Sequence, residues 1–155
     1  MRPSDEFRFL DPGSPSDGEL QLQLVALKPA DPLKNWVPAY EFEMRVPGSG
    51  GPVGKISLRA RSTVFLEMYG GQIGYTVEPP HRGRHYAERA VRLLIPFIRR
   101  HGLKAVWITC NPENRASRRT CERLGAQFVE IVDLPPDCDM YLRGERRKCR
   151  YRLDL

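Results

Sequence analysis

The 155-residue chain, 41% hydrophobic and 28% charged, has the size and composition of one compact globular domain. It contains no run of about 18 or more apolar residues, and its start, MRPSDEFRF, lacks the apolar core of a secretory signal, so the expectation is a soluble cytosolic protein without a membrane span. Cys110, Cys121, Cys138 and Cys149 show neither CxxC pairing nor a His at metal-ligand spacing, which argues against a zinc site or a disulfide framework, and the net charge of +6 invites a nucleic-acid reading without compelling one.

Residues 1–19, with Pro3, Pro12, Pro15, Gly13 and Gly18 among Ser and Asp, read as a flexible tail, or as a short strand at Phe7–Leu10 plus a loop; the domain itself spans 20–155. ELQLQLVAL alternates Leu20, Leu22 and Leu24 against Gln21 and Gln23, the period of a half-buried strand. A linker rich in Pro and Asp follows, with Trp36 inside it. AYEFEMRV sets Tyr40, Phe42, Met44 and Val46 opposite Glu41, Glu43 and Arg45, GSGG turns the chain, and VGKISLRA completes a hairpin. QIGYTV is a further strand, stopped by Pro79 and Pro80.

Between Arg82 and His101 the residues Tyr86, Ala87, Ala90, Val91, Leu94, Ile95 and Ile98 recur at helical spacing, which predicts the longest helix, kinked near Pro96 and ended by Gly102. KAVWITC reads as a buried strand. The next helix is expected to start at an Asn111 N-cap with Pro112 in its first position and to end at Gly125. AQFVEIV and RRKCRYRLDL are the closing strands, and the basic runs Arg115–Arg123 and Arg143–Arg152 read as solvated faces, since no aromatic-rich strand or recognition helix accompanies them. His81 and His101, at helix boundaries, read as solvent-facing or capping; Cys110 and Trp107 read as packing residues; Trp36 could line a pocket.

The most informative stretch is GYTVEPPHRGRHYAERA, a strand that breaks at Pro-Pro and opens into a helix. A helix start carries unpaired N–H groups and the positive end of the dipole, so it suits an anion. Arg82, Arg84 and His85 add charge, and Gly83 lets the backbone come close to a ligand. The arrangement would hold a pyrophosphate.

From this cradle through the Asn-containing turn NPENRAS to Leu124-Gly125 the sequence resembles the GNAT superfamily of acetyl-CoA-dependent N-acetyltransferases, over roughly residues 54–134. Arg82, Gly83, Arg84, His85, Tyr86 and Ala87 match the family's phosphate-binding pattern, and Asn114 and Ser117 match its Asn turn. The resemblance implies an α/β fold: a mixed, mostly antiparallel sheet with helices on both faces and a splayed central strand pair, here QIGYTV and KAVWITC. It further implies acetyl-CoA as co-substrate, its pantetheine amides pairing with the strand edge near Thr76 and Val77 and its thioester attacked directly by an amine.

Two positions depart from the family pattern. His85 stands where a glycine is usual, and Cys121 stands where many members carry the Tyr that protonates the leaving thiolate. Cys121 is accordingly the candidate acid, with a core-packing role as the alternative; the general-base position holds Thr109, so a water chain, Glu41 or Glu43 stays open as base. The segment Leu27–Tyr40 carries Pro29, Pro32 and Pro38 in place of the family's two substrate-side helices, which leaves the acceptor pocket more open or completed by a partner chain, as in a homodimer. The reading is acetyl transfer to a primary amine of a small molecule or protein N-terminus; the alternatives are an inactive acyl-CoA-binding module and a basic nucleic-acid or protein-interaction domain.

Overall fold

Alternation along AYEFEMR decides the first half of the fold. A computed structural model describes residues 7–155; in it β2 (Ala39–Arg45) buries Tyr40, Phe42 and Met44 and turns Glu41 and Glu43 outward. It lies between β1 (Gln21–Lys28) and β3 (Gly54–Arg59), with β4 (Ile73–Val77) beyond β3, and all four strands are antiparallel. Cross-strand pairs such as Phe42↔Ile56 and Tyr40↔Leu58 put large apolar residues side by side on one face. Helix α1 (Tyr86–Arg100) covers that face with Tyr86, Ala90, Val91, Leu94, Phe97 and Ile98, each buried large side chain contributing about 1.5–3 kcal/mol.

A second, three-stranded antiparallel sheet has the order β5-β7-β6, from β5 (Ala105–Cys110), β6 (Gln127–Asp133) and β7 (Arg147–Asp154). Helix α2 (Arg115–Leu124) packs Ser117, Cys121 and Leu124 on one side of it, joining the same core as α1. On the other side a π-helical turn (Leu66–Gly70) meets β5 and β7, with the Thr109 hydroxyl donating to the Tyr69 carbonyl at 2.7 Å. A short α3 (Asp139–Leu142) connects β6 to β7. The result is the expected mixed, mostly antiparallel α/β architecture with helical elements on both faces.

The two sheets meet at one residue of β4's approach. Gln72 N–H donates to the Trp107 carbonyl at 2.7 Å, and the Gln72 side-chain oxygen accepts from Trp107 N–H at 3.0 Å. Beyond this clamp β4 and β5 share no ladder. A fully buried amide therefore holds the vertex of an opening between the central strands.

Several expectations need correction. No strand forms at Phe7–Leu10. Phe7, Phe9 and Leu10 instead pack on the core, and Leu10 N–H donates to the Tyr40 hydroxyl at 2.8 Å. Residues 1–6 of the expected tail lie outside the described residues. α1 starts at Tyr86, four residues later than expected, because a 3-10 turn (Pro79–His81) and a left-handed His85 intervene. α2 is capped by Asn114, whose Oδ1 accepts from Ser117 N–H at 3.1 Å; the earlier Asn111 is engaged elsewhere, by Lys148 Nζ at 2.7 Å. His101 is half-buried rather than solvent-facing, because Phe7 stacks on its ring and the Tyr40 hydroxyl bonds its Nε2 at 2.8 Å. The linker closes in a tight turn through the Asp31↔Trp36 bridge, leaving Trp36 57% exposed.

Of the basic run Arg143–Arg152, Arg143, Arg146 and Arg147 are exposed, but two residues of β7 are not solvated. β7 is the middle strand of its sheet, with both edges paired, and its Lys148 and Arg150 side chains are buried. Lys148 Nζ donates to Asn111 Oδ1 and Glu145 Oε1, both at 2.7 Å; Arg150 donates to the Glu67 carbonyl and to Glu130 Oε1 and lies over the Trp107 ring. Paired in this way, the two charges escape most of the cost of burial. Among the described residues no helix is long and apolar enough to cross a membrane.

Candidate active site

The opening between β4 and β5 leaves one edge of β4 without a strand partner. Glu78 N–H donates to the Val53 carbonyl and Arg59 N–H to the Gln72 carbonyl, which fixes the alternation of the β3–β4 ladder. Thr76 and Gly74, in register with Lys55 and Ser57, therefore turn their main-chain groups toward β3, while those of Tyr75 and Val77 point into the opening. Of the two edge residues named from sequence, Val77 presents main-chain groups to the opening and Thr76 does not. Val77's carbonyl accepts from Arg82 Nε at 2.9 Å.

The turn after β4 brings the cradle residues to the same end of the opening. Gly83 has φ 88°, a left-handed conformation that a side chain adopts only under strain. His85, the N-cap of α1, is also left-handed at φ 61°, and its side chain does not cap the helix. The first N–H groups of α1 are thus left without a side-chain acceptor, next to exposed Arg82 and Arg84. His85 Nδ1 is paired with Arg123 NH1 of α2 at 2.7 Å; the guanidinium can only donate, so Nδ1 is the acceptor and the imidazole is the Nε2–H form. Tyr86 is buried and Ala87 partly buried, so what they offer a ligand is main chain.

Helix α2 closes the opening on the core side. Cys121 is fully buried, and burial pushes its thiol up to about 12, so it stays protonated at neutral pH. Its polar neighbour is the Tyr75 hydroxyl, 3.9 Å away, which also makes a 2.8 Å hydrogen bond with the Ser117 hydroxyl. Burial likewise raises the pKa of the Tyr75 phenol. Tyr75 is not singled out by its sequence context: QIGYTV reads only as a strand, and the return of α2 shows what its hydroxyl meets.

Thr109, at the position where a base is missing, and the two candidate bases Glu41 and Glu43 are all engaged. Thr109 is committed to the Tyr69 carbonyl, Glu41 pairs with Lys28 at 2.8 Å and Glu43 with Arg45 at 2.7 Å. Lys148 beside Glu145 holds that carboxyl below the usual range. No cluster of His, Cys, Asp or Glu among the described residues could hold a metal ion.

A family model described as an acetyltransferase (GNAT) domain matches residues 5–127. No curated protein matches in sequence. Among solved structures, the ribosomal-protein-S5-alanine acetyltransferase from Vibrio fischeri superposes with TM-score 0.68 at 13% identity, covering 92% of this chain and 96% of that one. RimJ from Mycobacterium smegmatis, in complex with CoA-disulfide, gives TM-score 0.58 at 19% identity over 75% of this chain and 53% of its own. The microcin C7 self-immunity acetyltransferase MccE, in complex with acetyl-CoA and AMP, gives 0.58 at 16% identity over 76% and 61%.

Proposed function

We propose a function from one premise: the chain belongs to the GNAT family of acetyltransferases. It takes acetyl-CoA as co-substrate and transfers the acetyl group directly to a primary amine, of a small molecule or of a protein N-terminus. The observation that carries this reading is the coincidence of two features at one end of β4: main-chain groups of Tyr75 and Val77 that no neighbouring strand pairs, and the uncapped, arginine-flanked start of α1. A pantetheine chain adds to the strand edge as a peptide would, and the pyrophosphate takes the N–H groups of Tyr86 and Ala87 with Arg82, Gly83, Arg84 and His85 around it. Thr76, at the same end, contributes its exposed side chain rather than its main chain. Asn114 holds the start of α2 and so shapes the far wall of the opening.

Calorimetry with CoA tests the cradle. Gly83→Val forces a branched side chain into φ 88° and is expected to abolish binding. Loss of a charge-assisted contact is worth about 1.5–3 kcal/mol, so Arg82→Ala is expected to weaken binding roughly ten- to a hundredfold. Wild-type affinity in both variants refutes the assignment.

A second reading, an acyl-CoA binder with weak or no catalysis, is favoured by the full burial of Cys121 and the engagement of Thr109. Thiol release from acetyl-CoA in the presence of peptides with free amino termini and of simple amines separates the two. The tight Asp31–Trp36 turn, which leaves Trp36 exposed, supports an acceptor side open enough for a polypeptide end.

A further inference from the structure

The hydroxyl of Tyr75 is an unusual group for its position. Tyr75 is the central residue of β4, its main-chain N–H and C=O face the opening, and its side chain reaches past the core residues of the strand to α2. There it meets Ser117 Oγ at 2.8 Å and Cys121 Sγ at 3.9 Å. The titratable groups facing it are Cys121 of α2 and Cys110 of β5, both thiols pushed upward by burial. Among the described residues no carboxylate or ammonium group hydrogen-bonds this hydroxyl.

We propose that the Tyr75 phenol, held by Ser117, donates its proton to the sulfur of CoA as the thiol leaves, with Cys121 packing behind it. The inference rests on the acyl-CoA reading above, because it needs a thioester laid along the edge to which Tyr75 contributes its main chain. A ligand on that edge runs beside Tyr75, whose side chain carries a proton to the α2 wall. Cys121 does not serve: it is fully buried, and a thiol donates poorly. Its small volume is what leaves room for the Tyr75 hydroxyl at the same place.

The step balances. The amine nitrogen bonds to the acyl carbon, the C–S bond breaks, and its electron pair stays on sulfur. The phenol O–H proton passes to that sulfur, and the surplus proton of the new ammonium restores the phenol through solvent. Ser117, which can both donate and accept, holds the phenol oxygen throughout. A phenol kept neutral by burial remains a donor well into alkaline pH.

The test uses the intact chain with CoA, and needs no known acceptor. A hydroxyl that hydrogen-bonds sulfur favours the bound thiolate, so the thiol of enzyme-bound CoA should titrate lower in the wild type than in Tyr75→Phe, by about one unit. The titration is followed by thiolate absorbance, with desulfo-CoA subtracting the protein's own cysteines. Phe keeps the ring and the core, and CoA affinity should hold. Ser117→Ala is expected to give a smaller rise, because it loosens the phenol without removing it. On any amine that is acetylated, Tyr75→Phe should lower turnover at least tenfold, since general acid catalysis contributes about 10²–10⁴-fold. Equal thiol titration in wild type and Tyr75→Phe overturns the inference while leaving the acyl-CoA reading intact; failure of the wild type to bind CoA overturns both.

Discussion

Gly54→Ala probes the seam that positions the β4 edge. Gly54 opposes Val77 in the β3–β4 register, is buried, and has an ordinary negative φ, so an alanine backbone is allowed there. Space is the difficulty: an added Cβ would sit 2.5 Å from the Thr76 carbonyl oxygen, 3.0 Å from Met44 Sδ and 3.2 Å from the Val77 Cα. The methionine end can move, whereas the other two atoms are strand backbone. Relief therefore requires β3 and β4 to part at the residues that carry the open edge. Overpacking of this kind costs about 1–3 kcal/mol, and for a chain of this length each kcal/mol lowers Tm by about 2–4 °C. With backbone on two sides the upper half of that range applies, so a fall of roughly 5–10 °C is expected in a thermal melt. CoA affinity measured well below the melting range should fall as well, because Val77 moves with the seam. A variant melting within about 1 °C of wild type would show that the strands yield freely and that the seam does not hold the edge in place.

Three further outcomes follow from the contacts described. Asn114→Ala removes the α2 cap and should cost about 1 kcal/mol, read as a shift of the denaturation midpoint at unchanged slope. Burial lowers the pKa of His101, so its neutral form contributes stability that is present above the unfolded value of about 6.5 and is lost as pH falls through the folded value; melts across that window should decline more steeply in wild type than in His101→Gln. Arg150→Ala takes a buried cation from the Glu67 carbonyl and Glu130 and should destabilise by about 1.5–3 kcal/mol, an effect that salt should change little, whereas a solvated-face arginine would give almost none.

The legible parts of the sequence were those whose partners are nearby or whose pattern is periodic. β2 and α1 each bury one face, so alternation and helical spacing found them; the end of β4 and the Pro-Pro break are contiguous signals and were legible for the same reason, though the helix beyond them starts four residues later than expected. What escaped depends on distant partners. Asn111 and Asn114 are both competent caps, and the choice falls to Asn114 while a lysine 37 residues away holds Asn111. Lys148 and Arg150 read as surface until the distant Asn111, Glu67 and Glu130 are seen to receive them. Tyr75 passes unmarked within its strand because no local signal tells that α2 brings two polar groups to its hydroxyl.

The strand order β5-β7-β6 has a consequence for how the molecule comes into being. β5 and β6 never pair with each other; each waits for β7, which lies some forty residues beyond β5. During synthesis the four-stranded sheet and α1 can assemble as soon as they leave the ribosome, but the wall of the opening that belongs to β5 has no ladder until residue 154 has emerged. Such non-local pairing is slow to form. A nascent chain halted before β7 would therefore carry a finished β4–α1 turn and an unfinished cleft, with the strands awaiting β7 open to other chains in the meantime.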